Sequence, residues 1–83
     1  MEGGDGKEVA RFFVDRHHPD GPEVHVITEN AIIVIYNALS GKLITKLVAR
    51  PGQISRYYRA KGLVTPQYLL DIARVHQGRG WNN

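Results

Sequence analysis

Residues 23–49 read EVHVITENAIIVIYNALSGKLITKLVA, and this stretch decides the fold. Its apolar residues alternate with a period of two, which is typical of β-strands with two distinct faces. The connections between the apolar segments are short, so we expect antiparallel pairing as a meander, with a middle strand that is apolar and covered on both faces. The pattern predicts three strands, at 24–27, 32–36 and 43–48.

The residues before this stretch carry a helical signal, which consists of a capping-box pattern followed by apolar residues on one helical face. We therefore predict a helix over residues 7–17. It should end at His18, because Pro19 disfavours the helical conformation for the residue before it. The residues that carry the helical signal are Asp5, Glu8, Val9, Phe12 and Phe13.

Two further helices are predicted after the third strand. The first begins near Ile54 and is closed by Gly62, and the second begins at Thr65-Pro66 and runs to about His76. The apolar stripe of the second comprises Tyr68, Leu69, Ile72 and Val75. The predicted fold class is α+β, a three-stranded antiparallel meander with an N-terminal helix and two C-terminal helices packed on it. The chain is predicted to be a single domain over 1–83, with flexible tails at 1–6 and 77–83.

Composition excludes several kinds of chemistry. The chain of 83 residues has no cysteine, which excludes disulfides, thiolate zinc sites and thiol nucleophiles. Its longest apolar run, 31–36, is far shorter than the roughly 20 residues that cross a bilayer, so no membrane partner is expected. Cofactors are not expected either.

Charge is distributed unevenly along the chain. Residues 1–41 carry three bases against seven acids, a net charge of −4, and residues 42–83 carry eight bases against one acid, a net charge of +7. Such an asymmetry points to a polyanion such as RNA or DNA, or to an acidic protein. A basic face without a dedicated ligand is the alternative. The predicted nucleic-acid-binding residues are Lys42, Lys46, Arg50, Arg56, Tyr58, Arg59 and Lys61.

Three of the four histidines lie in one short stretch, at His17, His18 and His25. Histidine titrates near pH 6.5, so each is a candidate general acid or base at neutral pH. Alternatively, His17 and His18 interact with the helix dipole and His25 faces solvent. A metal site that adds Asp20 to these histidines matches no established ligand spacing, and no metal is predicted.

Residues 31–45, AIIVIYNALSGKLIT, resemble the strand, tight turn and strand of small bacterial toxin domains of the barnase, EndoU, colicin and RelE class, the BECR fold. The resemblance implies a metal-independent ribonuclease, an immunity- or antitoxin-like acidic partner, and a location in the cytoplasm or at the end of a larger secreted toxin. It also implies active-site roles for Thr45, for His17 or His18, and for Lys46 or Arg50. The chain departs from this class in having two helices after the third strand.

Two functional hypotheses follow. The first is a metal-independent endoribonuclease, which needs a base for the 2′-hydroxyl, an electrostatic clamp for the phosphorane and an acid for the leaving oxygen. Its candidate catalytic residues are His17, His18, His25, Thr45, Lys46 and Arg50. The second is a non-enzymatic module of phage or host-defence type that binds RNA, DNA or an acidic protein. In either case the open sheet edges allow a homo-oligomer.

Overall fold

The structure is a computed structural model that describes residues 5–15 and 21–78. The elements are β1 (Glu8–Val14), β2 (Glu23–Thr28), β3 (Ile32–Asn37), β4 (Leu43–Val48), α1 (Pro51–Ala60) and α2 (Gln67–Gly78). The strands form one antiparallel sheet in the order β1-β2-β3-β4, so β1 and β4 are its edges. The fold is an α+β fold with the element order β-β-β-β-α-α. The predicted arrangement of three strands behind an N-terminal helix was wrong.

Strand β1 occupies the place of the predicted N-terminal helix over residues 7–17. A short apolar run at helical spacing does not by itself distinguish a helix from a strand. The segment EVARFFV is rich in β-branched and aromatic residues, which favour strands, and β2 offers it an edge to pair with. Phe12 thereby enters the core. The predicted helix end at His18 lies outside the described residues.

The two carboxylates that were expected to cap this helix form ion pairs instead. Lys46 Nζ donates a hydrogen bond to Asp5 Oδ2 at 2.6 Å, and Arg11 Nη2 donates one to Glu8 Oε1 at 2.7 Å. The Arg11 guanidinium holds the pKa of Glu8 below its usual value, chiefly through this hydrogen bond. Both pairs are exposed, so each contributes little to stability.

Antiparallel pairing divides the sheet into a face that packs against the helices and an open face. The rows of paired residues toward the helices are Phe12–His25–Ile35–Thr45 and Ala10–Ile27–Ile33–Leu47. The corresponding rows of the open face are Arg11–Val26–Val34–Lys46 and Phe13–Val24–Tyr36–Leu43. Helices therefore cover the middle strand on one side only. Val26 and Val34 are nevertheless buried, because the long stems of Arg11 and Lys46 flank them in their row.

Helix α1 begins earlier than predicted, with Pro51 at its first position. The backbone N–H of Arg50 donates to Gln53 Oε1 at 2.7 Å, which fixes the helix start. After the helix, Gly62 adopts a positive φ of 70°, as its predicted role in closing the helix requires. Ile54 and Tyr58, one turn apart, pack into the core.

Helix α2 covers the rest of the core through Leu69 and Ala73, which are four residues apart and fully buried. Two members of its predicted apolar stripe, Tyr68 and Val75, are instead exposed, because the helix is rotated to place Leu69 inward. Within residues 5–15 and 21–78, no helix has the length and apolar character needed to cross a membrane.

Tyr58 should make the fold sensitive to alkaline pH. Burial, followed by the charge of Tyr68, raises the pKa of Tyr58 above 10.0. The unfolded chain therefore loses this proton at lower pH than the folded chain, so stability is retained below about pH 10 and declines as the pH rises through the folded pKa. We expect Tyr58→Phe to raise the midpoint of alkaline unfolding, measured by circular dichroism. Tyr36→Phe, at a half-exposed position, should leave the midpoint unchanged, and equal shifts in the two variants would contradict this assignment.

Candidate functional site

A cleft of about 590 Å³ opens between the end of β1, the helix-facing side of the sheet and α1. We call it the α1 cleft. Its apolar floor comes from the sheet, where Ile35 on β3 and Leu47 on the edge strand β4 lie next to each other. The polar and charged residues that line it are Asp15, His25, Gln53, Arg56, Tyr57 and Lys61. A concave site with an apolar floor and converging polar groups is the usual form of a binding or catalytic site.

His25 lies at the bottom of the α1 cleft with both ring nitrogens in hydrogen bonds. It is 2% exposed, because its strand is an inner strand of the sheet and its side chain points toward the helices. The Nδ1 atom lies 2.5 Å from Tyr57 Oη, and the Nε2 atom lies 2.8 Å from Glu23 Oε1. Glu23 and His25 are two residues apart on β2, so they share a face. A strand and a helix thus bring three polar groups together.

The partners of His25 indicate where its proton lies. An ionised carboxylate only accepts hydrogen bonds, so Nε2 carries the proton that Glu23 accepts. In the neutral imidazole Nδ1 is then an acceptor, and Tyr57 donates its hydroxyl proton to it. Tyr57 therefore donates a hydrogen bond to His25, and His25 donates one to Glu23. Through these hydrogen bonds, Nδ1 of His25 can take the proton of the Tyr57 hydroxyl.

Aromatic packing holds the Tyr57 ring in place. It stacks on Phe12 with a centroid separation of 5.4 Å and an interplanar angle of 25°. It meets the His25 ring edge-on at the same separation. Tyr57 is half-buried and lines the cleft, so its ring is fixed while one side remains open. Phe13, the next residue on β1, is 57% exposed, and its side chain projects from the open face of the sheet.

Cations gather along α1, beside the α1 cleft. Arg56, Arg59 and Lys61, which we call the α1 cations, lie on α1 or directly after it, and all three are exposed. Within the described residues none of the three has an ion-pair partner. Helix α1 contains no acidic residue. Part of the positive charge of the second half of the chain therefore remains uncompensated along α1.

A shallow depression continues from the cleft along the outer side of α1. It is lined by Gly52, Arg56, Arg59 and Ala60. Arg56 lines both concavities, so the cleft and the depression adjoin. A side chain at position 52 would meet no atom within 4 Å, so the glycine leaves open space there. The two concavities form a track along α1.

Three residues proposed from the sequence as catalytic lie apart from this site. Lys46 projects from the open face and is bound to Asp5, so it is on the opposite side of the sheet from His25. Thr45 shares the helix-facing row with His25 but lies two strands away, about 10 Å, at the exposed edge. Arg50 forms the cap of α1. The structure does not bring these residues to His25.

The other proposed residues are divided between the site, the surface and the core. Lys42 is exposed at the start of β4. Tyr58 packs inside the core, where its ring meets Phe12 edge-on, so it does not present an exposed ring to a ligand. Arg56, Arg59 and Lys61 lie together, as described above. His17 and His18 fall outside the described residues.

Two residues of the site, Glu23 and Tyr57, were not among those proposed from the sequence. The spacing of Glu23 and His25 already indicated a shared strand face. Of the adjacent tyrosines at 57 and 58, a helix can direct only one fully into the core, but the sequence does not say which. The decisive information is the packing of α1 on β2.

A bound metal is not suggested by the described residues. Within 5–15 and 21–78, no three histidine or acidic side chains form a group that could hold a metal ion. Glu23 and His25 contribute only two such groups and are bonded to each other. Comparisons with protein-family models, curated proteins and solved structures found no match to this chain.

Proposed function

We propose that the protein binds single-stranded nucleic acid along α1, from the α1 cleft to the adjoining depression. The observation that carries this proposal is the cluster of three exposed α1 cations with no ion-pair partner among the described residues. Phosphates are attracted to such a cluster, because binding releases condensed counterions. Cations already held by carboxylates, such as Lys46 and Arg74, contribute less.

The aromatic residues of the cleft favour an unpaired strand over a duplex. Tyr57 lines the cleft together with Arg56 and Lys61, so an unstacked base has an aromatic surface next to the cations. Stacking of a base on an aromatic side chain contributes about 1–3 kcal/mol. A cleft of about 590 Å³ has room for a splayed base.

The test is a titration of a fluorescent twelve-nucleotide RNA, with anisotropy measured over a series of salt concentrations. Each phosphate contact contributes about 0.7 to the slope of log affinity against log salt for a single strand. The triple variant Arg56→Gln/Arg59→Gln/Lys61→Gln should therefore lower the slope by about 2 and weaken binding at low salt by at least tenfold.

A matched control removes the same charge elsewhere. Arg11→Gln/Lys46→Gln/Arg74→Gln takes away three cations that are already in ion pairs on other elements. It should keep a slope close to that of the unmodified chain. Equal losses in the two triple variants would show that only net charge matters, and absence of binding at low salt would refute the proposal.

A further inference from the structure

We propose that two copies of this chain pair through the outer edge of β4, which joins their four-stranded sheets into one continuous antiparallel sheet. Strand β4 (Leu43–Val48) is an edge strand, and within residues 5–15 and 21–78 it pairs only with β3. Its outer backbone N–H and C=O groups therefore face away from the sheet, where another strand can pair with them. This proposal concerns the assembly of the chain and does not depend on nucleic-acid binding.

The edge of β4 is uncovered along most of its length. The four consecutive residues from Leu43 to Lys46 are exposed, and the apolar side chains of Leu43 and Ile44 are 52% and 47% exposed. The strand contains no proline, which would remove a backbone donor from the edge. An uncovered edge with exposed apolar side chains is a site at which a further strand adds to a sheet.

The other edge of the sheet, β1, is less suited to such pairing. It contains Glu8 and Arg11, and Asp15 follows it directly. Charged side chains on an edge strand discourage pairing with another chain. In β4 the single charged residue is Lys46, and Asp5 already holds its ammonium group at 2.6 Å. The β4 edge therefore carries no uncompensated charge that would repel a second copy.

The hydrogen bonds between β3 and β4 show which residues of β4 direct their backbone outward. Ala49 N–H donates to the Ala31 carbonyl at 2.9 Å, so these two residues form a hydrogen-bonded pair. Hydrogen-bonded and non-hydrogen-bonded pairs alternate along an antiparallel ladder. Lys46 and Val48 therefore lie in non-hydrogen-bonded pairs with β3, and their N–H and C=O groups point to the outer edge. The Thr45 hydroxyl donates to the Lys46 carbonyl at 3.5 Å, a long contact that a strand amide would replace.

Charge selects the register between the two copies. Residues that lie opposite each other in an antiparallel pair share a face, so few registers are available. Lys46 opposite the partner's Lys46 or the partner's Arg50 would bring like charges together, which is destabilising. Lys46 opposite the partner's Ile44 would use the position at which the ladder of β4 is irregular. The remaining register places Lys46 opposite the partner's Val48, with the two-fold axis at Leu47.

In this register the β4 edge is complementary to itself. Lys46 and Val48 form two symmetry-related hydrogen-bonded pairs, and each pair exchanges two backbone bonds. Leu47 meets the partner's Leu47 on the helix-facing side, and Thr45 meets the partner's Ala49. No like charges lie directly opposite each other. A second copy therefore satisfies the outer backbone of β4 and covers the half-buried Leu47 in one step.

The pairing also changes the surroundings of the α1 cleft. A two-fold axis between antiparallel strands is perpendicular to the sheet, so the helices of both copies lie on the same side. Leu47 belongs to the floor of the α1 cleft and lies at this axis. The partner's Leu47 extends that apolar floor, and the two α1 clefts open on one side of the assembly.

A single introduced thiol reports the register, because the chain contains no cysteine. Leu47→Cys places two thiols opposite each other in a non-hydrogen-bonded pair, with Cα atoms about 4.5 Å apart, a separation that a disulfide spans. Thr45→Cys places its two thiols about 14 Å apart. Under mild oxidation Leu47→Cys should form a covalent dimer on a non-reducing gel, and Thr45→Cys should remain monomeric. Equal cross-linking of the two variants would overturn the proposal.

Sedimentation velocity measures the association itself, and nucleic acid is left out. The unmodified chain should shift from monomer to dimer as its concentration rises. Val48→Lys places a like charge opposite Lys46 in both pairs, whereas Val48→Glu places an opposite charge there. Val48→Glu should therefore dimerise at least about fivefold more tightly than Val48→Lys.

The two Val48 variants are matched, because each introduces one charge at the same half-buried position. Circular dichroism should show the same fold in both. Equal dissociation constants for the two variants would contradict the register and overturn the proposal. A chain that stays monomeric at every concentration would also overturn it, and would leave the β4 edge to a strand of a different protein.

Discussion

Replacing Ile54 with alanine is expected to lower the free energy of unfolding by about 3 kcal/mol. Ile54 is fully buried on α1, in the cluster that joins the helices to the sheet. Truncation removes three carbons from this contact and leaves a cavity that close packing cannot fill. A chain of 83 residues has a total stability of about 4–12 kcal/mol. The variant should therefore lose a quarter or more of that stability.

Thermal and urea unfolding followed by circular dichroism will measure this loss, which corresponds to a decrease in melting temperature of roughly 10–20 °C. Ile44→Ala makes the same chemical change at a position on β4 that is 47% exposed. It should cost less than about 1 kcal/mol. If the two variants lose equal stability, the packing of α1 on the sheet is not as described.

The second large effect is expected for His25→Ala, with a loss of about 2–4 kcal/mol. The substitution removes a buried ring and takes from Glu23 and Tyr57 the partner that lies between them. A cavity at the buried ring and the loss of a hydrogen-bond partner for two partly buried polar groups both oppose folding. Tyr57→Phe keeps the stacked ring and removes one hydrogen bond, so its cost should be nearer about 1 kcal/mol.

Denaturant titrations of both variants will check this difference. If His25→Ala is as stable as the unmodified chain, then the ring is not held between Glu23 and Tyr57, and the argument for a proton path through it is lost. A large loss in His25→Ala together with a small loss in Tyr57→Phe makes Tyr57→Phe the appropriate variant for functional assays, because its fold is then intact.

Strands β2 to β4 and helix α2 could be predicted because their signals are local. Period-two alternation over 23–49 matches a pleated strand, and Thr65-Pro66 marks a helix start in the chain itself. Strand β1 could not be assigned in this way. Its apolar residues fit both the period of a helix and the period of a strand. The edge of β2 decides for a strand, because it supplies backbone hydrogen-bond partners along the segment.

The candidate site was predictable only in part. His25 could be proposed from its chemistry, and the excess of positive charge after residue 41 could be counted. The separation of Lys46 from His25 follows from strand parity, since the two project from opposite faces of one sheet. Which cations remain uncompensated depends on where Asp5 and Asp71 come to lie.

By itself, the sequence determined that this is a small cationic α+β protein with an antiparallel meander. Apolar alternation and turn residues act locally, and the net charge is the sum of the side-chain charges. Only the tertiary structure decided that its first segment is a strand and that Tyr57, rather than Tyr58, faces the cleft. It also placed Glu23 and Tyr57 on either side of the buried His25. These outcomes depend on contacts between residues far apart in the chain. Such contacts form, and contribute to stability, only once the sheet and α1 have packed together.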